Sequence, residues 1–166
     1  MKFSNQGIEL LKKLEGCVKR GNMHVVYDDK TGRPIDGNAP LPRGATIGYG
    51  HLIKPGEDFS GGITERIATE LLRADIAAAE RAVQNNVTVQ LTQNQYDALV
   101  IFAYNIGANN FAKSTVIKYI NNPNFHSSIY PNLESAWRAW NKSGRRVMPG
   151  LVQRRNAELR LFMRGA

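Results

Sequence analysis

The spacing of apolar residues predicts a chain that begins with a helix, continues through an irregular stretch and is helical over its second half. Ser4 is a favoured N-cap residue and Gly16 a favoured helix stop, so the first helix is predicted over about residues 4–15. Glu15 falls in its last turn, where the helix dipole favours a cation rather than a carboxylate. Local costs of this kind concentrate at functional sites, so Glu15 is a candidate functional residue.

Residues 17–53 have no helical period and are rich in glycine and proline. The pattern predicts a short strand at 25–27, a turn at 28–32 and a returning strand at 46–50. The prolines and glycines at 34–44 predict a long irregular loop between the turn and the returning strand. This part is therefore expected to form a small antiparallel sheet.

From residue 64 onward the pattern is helical. A long helix is predicted over 65–85, and Thr92 with Gln95 forms a capping-box signature for the next one, which ends near Gly107. The apolar face predicted for the long helix consists of Ile67, Leu71, Ala74, Ala78 and Ala82. A short helix is predicted from 114 or 115 to 120. Two further helices are predicted over 133–141 and 150–163.

These elements predict a single α+β domain over residues 1–166, of a size that buries a substantial core. We expect a small lobe with a short antiparallel sheet at about 1–63, a connecting helix at 64–85 and an all-helical lobe at 86–166. A ligand site is expected in a cleft between lobes. No apolar run reaches the ~18 residues of a membrane helix, and the polar N-terminus does not predict a cleavable secretion signal.

The formal charge of +8 is concentrated at the C-terminal end, where residues 137–166 hold eight Arg or Lys residues and a single acidic residue, Glu158. Such a region fits an anionic partner: nucleic acid, a membrane surface or a cell-wall polymer. Trp137 and Trp140 lie within it. One hypothesis is therefore a basic module that binds nucleic acid or membrane through residues 137–166.

Several kinds of site do not fit the sequence. The acidic turn at 28–32 lacks the ligand spacing of a calcium loop, and Gly48-Tyr49-Gly50 lacks the lysine and the helix start of a phosphate loop. The three histidines are too scattered for a zinc cluster, and Cys17 is expected to be a buried small residue rather than a nucleophile. We expect neither a metal nor another cofactor.

Two carboxylates with a hydroxyl residue remain. Glycoside hydrolysis requires one carboxyl that donates a proton to the leaving oxygen and one ionised carboxylate on the other side of the bond. Glu15, at a helix end near apolar residues, suits the first role, and Asp29, in an open polar turn, suits the second. Asp28 remains an alternative to Asp29.

These residues lie in blocks that resemble the phage-type lysozymes (endolysins, muramidases), whose signature reads E-G, Y-x-D-x-x-G and T-I-G-x-G-H. The similarity continues over about 150 residues, although both gaps between the signature residues are longer than is usual in the family. The blocks that carry it are Glu15-Gly16, Tyr27 to Gly32, Thr46 to His51, LTQNQYDALVIFAYNIG at 91–107, Phe111 with Ser114, AWRAWN at 136–141 and PGLVQRRNAELRLF at 149–162.

The resemblance implies a lysozyme-like fold and hydrolysis of the β-1,4 bond after N-acetylmuramic acid in bacterial peptidoglycan. It implies Glu15 as general acid, Asp29 as base or electrostatic stabiliser, and Thr46 as the residue that holds the attacking water. Sugar contacts are implied for Leu52, Tyr104 and Ser114. Supporting roles are expected for His51, which orders the small lobe, and for Arg154 or Arg155, paired with Glu15 or a neighbouring acid.

The expected setting is that of a monomeric endolysin. Such a protein is made in the host bacterial cytoplasm, is released through a separate pore protein and acts in the periplasm on peptidoglycan. Transient contact with anionic membrane or lipopolysaccharide is expected from the basic region. A tail-associated enzyme or a secreted effector domain is the alternative setting.

Overall fold

The computed structural model describes residues 1–36 and 40–164. Its Cα positions group into two compact units, Glu9–Asp75 and Met1–Ile8 with Ile76–Ala166. The irregular loop predicted over 34–44 falls partly outside the described residues. The helices are α1 (Asn5–Glu15), α2 (Glu65–Asp75), α3 (Ala77–Asn86), α4 (Gln93–Ile106), α5 (Ala108–Lys113), α6 (Thr115–Asn121), α7 (Leu133–Arg138) and α8 (Pro149–Met163). The strands are β1 (Lys19–Arg20), β2 (Met23–His24), β3 (Tyr27–Asp28), β4 (Ala45–Ile47), β5 (His51–Leu52), β6 (Lys142–Ser143) and β7 (Arg146–Val147).

Helix α1 begins and ends at the predicted residues. The Ser4 hydroxyl accepts a hydrogen bond from the Gly7 backbone N–H at 3.0 Å, as an N-cap side chain does. Gly16 follows the helix with φ +69°, a left-handed conformation that glycine adopts without steric cost, and its N–H bonds the Lys12 carbonyl. Glu15 is therefore the last residue of the helix. The next residue but one, Cys17, is exposed, so the expectation that it is buried is wrong.

The smaller unit contains a three-stranded antiparallel sheet in the order β3-β4-β5 and a β1-β2 hairpin. The single strand predicted at 46–50 is wrong, because β4 ends at Ile47 and Gly48-Tyr49-Gly50 is a turn into β5. Gly48 and Gly50 have φ +64° and +89°, which L side chains rarely adopt. The two glycines thus allow a tight three-residue reversal.

The segment predicted as one connecting helix is divided into α2 and α3, on either side of Ile76. No glycine or proline lies there to signal a break. The predicted apolar face is wrong by about one residue. Ala74 and Ala78 are exposed, and the buried positions are Ala68, Leu72, Ile76, Ala79, Ala82 and Val83.

In the larger unit α4 is the central helix, with eight consecutive buried residues from Tyr96 to Ala103. Thr92 and Gln95 form the predicted capping box, and Gly107 ends the helix. An aromatic cluster packs beside it, with ring centroids 4.8 Å apart for Phe102 and Trp137. Burial of such rings supplies much of the packing energy of a domain this size.

The later helices agree with the sequence at their starts. Ser114 caps α6, and α7 begins at Leu133 but ends at Arg138 rather than at 141. Helix α5 and the β6-β7 hairpin were not predicted, because neither is long enough to show a period. No helix in the described parts of the chain is long and apolar enough to cross a membrane.

Candidate active site

One face of the three-stranded sheet carries the candidate residues of the smaller unit. Thr46 pairs with Tyr27 on one side and with Leu52 on the other. Residues paired across antiparallel strands point to the same face, so these three side chains form a row. Asp29 and Gly50 lie in the turns next to β3 and β5, two residues from Tyr27 and Leu52, and line the same cavity as this row.

A cavity of about 370 Å³ lies along this face. Glu15 reaches it from the C-terminal end of α1 and is partly buried, whereas Asp29 is exposed. Tyr27 and Gly50 were not among the site residues predicted from the sequence. The cavity is lined by Glu15, Tyr27, Asp29, Thr46, Gly50 and Leu52.

Gly50 lies close to Glu15. A Cβ atom at Gly50 would be 3.3 Å from Oε2 of Glu15, a contact so tight that a larger residue at this position would require the carboxylate to shift.

The Thr46 side chain is fixed in one orientation. It is only 4% exposed, and its hydroxyl donates a hydrogen bond to the Gly44 carbonyl at 2.9 Å. A hydroxyl has one proton and two lone pairs. Because the proton is engaged, Oγ1 is oriented to accept hydrogen bonds from a molecule in the cavity.

The two neighbouring aspartates differ in their positions. Asp28 pairs with Ala45 on the opposite face of the sheet, and its Oδ1 accepts a hydrogen bond from the Lys30 backbone at 2.8 Å. Asp29 begins the turn after β3 and lines the cavity.

Tyr27 lies close to both candidate carboxylates. Burial raises the pKa of its hydroxyl, and the negative charges of Glu15 and Asp29 raise it further. A hydrogen bond with the Gly50 backbone acts in the opposite direction. Tyr27 is therefore a neutral hydrogen-bonding group between two acids at neutral pH.

His51 lies on the face of the sheet opposite to Thr46 and contacts two acids. Its Nδ1 is 2.8 Å from Asp75 at the end of α2, and its Nε2 is 3.1 Å from Glu57. The Asp75 contact joins β5 to the end of α2, and the Glu57 contact joins β5 to the segment between β5 and α2.

Tyr104 and Ser114 belong to the larger unit. Tyr104 lies in α4 and is partly buried. Ser114 is buried, donates to the Phe111 carbonyl at 2.8 Å and caps α6. It also lines a cavity of about 260 Å³ with Lys113, Thr115, Tyr130, Ala136, Ala139 and Trp140.

The basic C-terminal region is not uniformly exposed. Arg154 and Arg155 are buried in α8, with guanidinium nitrogens 3.4 and 3.0 Å from the Glu158 carboxylate. Trp137 is fully buried and donates to Glu158 at 2.9 Å. Trp137 thus cannot stack on a nucleic-acid base, which removes one feature of the basic-module hypothesis.

Within residues 1–36 and 40–164 no three His, Cys, Asp or Glu side chains are grouped as ligands for a metal ion.

Comparison with known sequences gives a consistent result. The phage lysozyme family model matches residues 12–158. The chain is 35% identical over 166 residues to an endolysin of Salmonella phage P22, covering 98% of this chain and 99% of that protein. It is 36% identical over 167 residues to an endolysin of Bacillus phage B103, covering 99% of this chain but only 55% of that protein. The chain thus spans about half the length of this relative.

Solved structures show the same fold. A variant of P22 lysozyme has a TM-score of 0.72 and 33% identity, covering 98% of this chain and 99% of that one. An endolysin from Escherichia coli O157:H7 phage FAHEc1 has a TM-score of 0.74 and 30% identity, covering 100% of this chain and 96% of that one. The lysozyme-like α+β fold expected from the sequence is confirmed, and the chain belongs to the phage lysozyme family.

Proposed function

We propose that the protein is an endolysin-type lysozyme that hydrolyses the β-1,4 bond between N-acetylmuramic acid and N-acetylglucosamine in bacterial peptidoglycan. The observation that carries the proposal is that Glu15, Asp29 and Thr46 line the same cavity. Membership of the phage lysozyme family supports it. So does similarity to a solved muramidase domain from Asticcacaulis excentricus, at 31% identity and a TM-score of 0.72.

In the proposed reaction the Glu15 carboxyl donates its proton to the leaving glycosidic oxygen. A water molecule attacks the anomeric carbon from the opposite face, and Asp29 accepts a proton from it or stabilises the developing positive charge. Thr46 Oγ1 accepts a hydrogen bond from the same water, because its own proton is engaged by Gly44. The water is thereby oriented before the bond breaks.

The test compares matched variants on purified peptidoglycan, with released reducing ends as the readout. Glu15→Gln removes the proton donor without changing the size of the side chain, and Asp29→Asn removes the second charge. Asp28→Asn is the control, because it changes the adjacent residue on the other face of the sheet. We expect a loss of activity of roughly 10²-fold or more for the first two variants and little change for Asp28→Asn. Wild-type activity of Glu15→Gln would refute the proposed function.

A water-mediated reaction inverts the configuration at the anomeric carbon. Proton NMR of the first-formed reducing sugar should therefore show the α-anomer. An initial β-anomer would assign Asp29, or another carboxylate, the role of nucleophile instead.

Lysis caused by the basic surface alone has a different outcome. If residues 137–166 disrupted membranes without hydrolysis, Glu15→Gln would clear suspensions of outer-membrane-stripped cells as fast as the wild type does and would release no reducing ends. The buried positions of Trp137, Arg154 and Arg155 favour the enzymatic function.

We also propose that the protein acts as a monomer on the periplasmic cell wall, which it reaches from the cytoplasm through a separate pore protein. Bacteria that express it should remain intact until their inner membrane is permeabilised. Lysis of expressing cells with an intact membrane would contradict this route.

A further inference from the structure

Glu65, the first residue of α2, receives contacts from four side chains of the smaller unit, although it does not line the candidate active site. The Tyr49 hydroxyl donates to its two oxygens at 2.7 and 2.9 Å, and His24 Nε2 lies 2.7 Å from Oε2. The ammonium groups of Lys12 and Lys19 lie 3.1 and 3.3 Å away. One carboxylate thus joins α1, β1, β2 and the turn between β4 and β5.

Lys12 connects Glu65 to the helix that carries Glu15. It lies one turn before Glu15, and residues three apart share a face of a helix. Its side chain is 14% exposed, its Nζ also pairs with Glu9 at 3.0 Å, and it lies 5.4 Å from the centre of the Tyr49 ring. A long side chain held in this way restrains the last turn of α1.

Tyr49 connects Glu65 to the turn on the other side of Glu15. The turn packs tightly on α2, because a Cβ at Gly48 would lie 3.3 Å from Cβ of Ala68, one turn after Glu65. At the other end of the turn, a Cβ at Gly50 would lie 3.3 Å from Oε2 of Glu15. A shift of the turn would therefore change the space available to Glu15.

We propose that Glu65 is a positioning residue for Glu15: through Lys12 and Tyr49 it fixes α1 and the Gly48–Gly50 turn relative to each other, and so holds the Glu15 carboxylate against Gly50. The inference rests on the proposed function of Glu15. Glu65 itself contacts no substrate in this role. A misplacement of about 1 Å at a reacting group costs up to about 10²-fold in rate, so a remote support of this kind has a measurable effect.

The charge state of Glu65 suits this role. Partial burial by itself would raise its pKa, but hydrogen bonds from Tyr49, His24, Lys12 and Lys19 outweigh that effect and lower the pKa to about 2. The carboxylate is therefore ionised, and its ion pairs are present, throughout the pH range of an activity assay.

The first test is Glu65→Gln, which keeps the size of the side chain but removes the charge that holds Lys12 and Lys19. We expect kcat on peptidoglycan to fall about tenfold while KM stays within about twofold, because binding groups are unchanged but the proton donor is displaced. The matched control is Glu70→Gln on the same helix, whose carboxylate pairs only on the surface, with Arg66 at 2.7 Å. It should leave both constants unchanged.

The second test cuts the same connection from its other end. Lys12→Met keeps the aliphatic stem and should lower kcat by a similar factor, and the double variant Lys12→Met/Glu65→Gln should be no slower than the slower single variant. Such non-additivity is expected when two residues act as one unit. Glu9→Gln is the control for the other ion pair of Lys12. Tyr49→Phe removes only the hydroxyl and tests the connection to the turn.

The outcomes separate this inference from the proposed function. If Glu15→Gln is inactive but Glu65→Gln has wild-type kcat well below its melting temperature, the positioning role is refuted and the proposed function stands. A lower melting temperature with unchanged kcat likewise assigns Glu65 a purely structural role. Independent, multiplicative effects of Lys12→Met and Glu65→Gln would also overturn the inference.

Discussion

At the scale of single residues, Thr46 combines burial with access to the cavity. Its hydroxyl donates its proton to the Gly44 carbonyl, so only its lone pairs are available to accept a hydrogen bond from water. We expect Thr46→Val, which has nearly the same shape, to lower kcat by roughly 10²-fold. The lost hydrogen bond should lower the free energy of unfolding by only about 1 kcal/mol. Thr46→Ser, which keeps the hydroxyl, should retain most activity. Steady-state kinetics and urea unfolding check this, and equal activities of the valine and serine variants would contradict it.

The glycines at 48 and 50 form a second comparison at this scale. Both have positive φ, so alanine at either position should cost about 1–2 kcal/mol of strain. At Gly48 the new methyl group would meet Ala68, whereas at Gly50 it would meet the Glu15 carboxylate. We expect both variants to be destabilised by similar amounts, but only Gly50→Ala to lose most of its kcat at a temperature where both are folded. Equal residual activity would indicate that Gly50 does not set the position of Glu15.

The row of site residues could be predicted from the sequence only in part. The resemblance to phage lysozymes identified Glu15, Asp29 and Thr46, and the match to Y-x-D-x-x-G favoured Asp29 over Asp28. Tyr27 belongs to the same motif, but nothing in the sequence indicated that it lines the site. The sequence could not show that Gly50 contacts Glu15, since that contact depends on the packing of a turn against a distant helix.

At the scale of elements, one face of α2 supports the β4-β5 hairpin at three points. Glu65 bonds Tyr49, Ala68 packs on Gly48 and Asp75 bonds His51. These residues, spaced by three and seven positions, lie on one side of a helix. The sequence predicted a different face because hydrophobicity was the only criterion, and alanine is a weak marker of burial. Here two of the three contact positions are acidic, so the spacing of apolar residues along the helix cannot identify them.

The support by α2 predicts a pH dependence of stability. Burial by itself would raise the pKa of Glu65, but hydrogen bonds from Tyr49, His24, Lys12 and Lys19 lower it from an unperturbed value of 4.5 to about 2. A carboxylate with a lowered folded-state pKa contributes stability that is fully present above about pH 4.5 and is lost as pH falls toward about 2. The hydrogen-exchange protection factors of the smaller unit, in which the intrinsic pH dependence of amide exchange is removed, should therefore fall over this range.

Glu65→Gln has no such charge to titrate, so its protection factors should be lower at pH 6 but should depend less on pH between 5 and 2. Glu70→Gln, with a more exposed carboxylate, should behave as the wild type does. Parallel pH profiles for the wild type and Glu65→Gln would show that the Glu65 cluster does not stabilise the smaller unit.

At the scale of the whole molecule, the net charge of +8 includes charged side chains that are buried as well as those on the surface. The C-terminal segment looked like one basic patch, but Arg154, Arg155 and Glu158 form a buried cluster beside Trp137. Sequence counts cannot separate surface charges from interior ones, because i, i+3 and i, i+4 pairs occur in both places. The overall lysozyme-like fold, by contrast, could be predicted, since motifs spread along most of the chain carry it.

The buried cluster gives a prediction for the larger unit. Burial raises the pKa of Glu158, against the effects of Arg155, Trp137 and Arg154, and it lowers the pKa of Arg155, so desolvation outweighs the attraction within the cluster. Removing only the negative charge should destabilise the folded protein, because two buried guanidinium groups would lose their shared carboxylate. We expect Glu158→Gln to lower the free energy of unfolding by about 3–5 kcal/mol.

Tryptophan fluorescence during guanidinium unfolding measures this effect in the larger unit, because both tryptophans, Trp137 and Trp140, belong to it. The control is Glu134→Gln, which removes an exposed pair with Arg138 at 3.6 Å and should cost no more than about 0.5 kcal/mol. A loss below 1 kcal/mol for Glu158→Gln would mean that water or a rearranged side chain solvates the guanidinium groups.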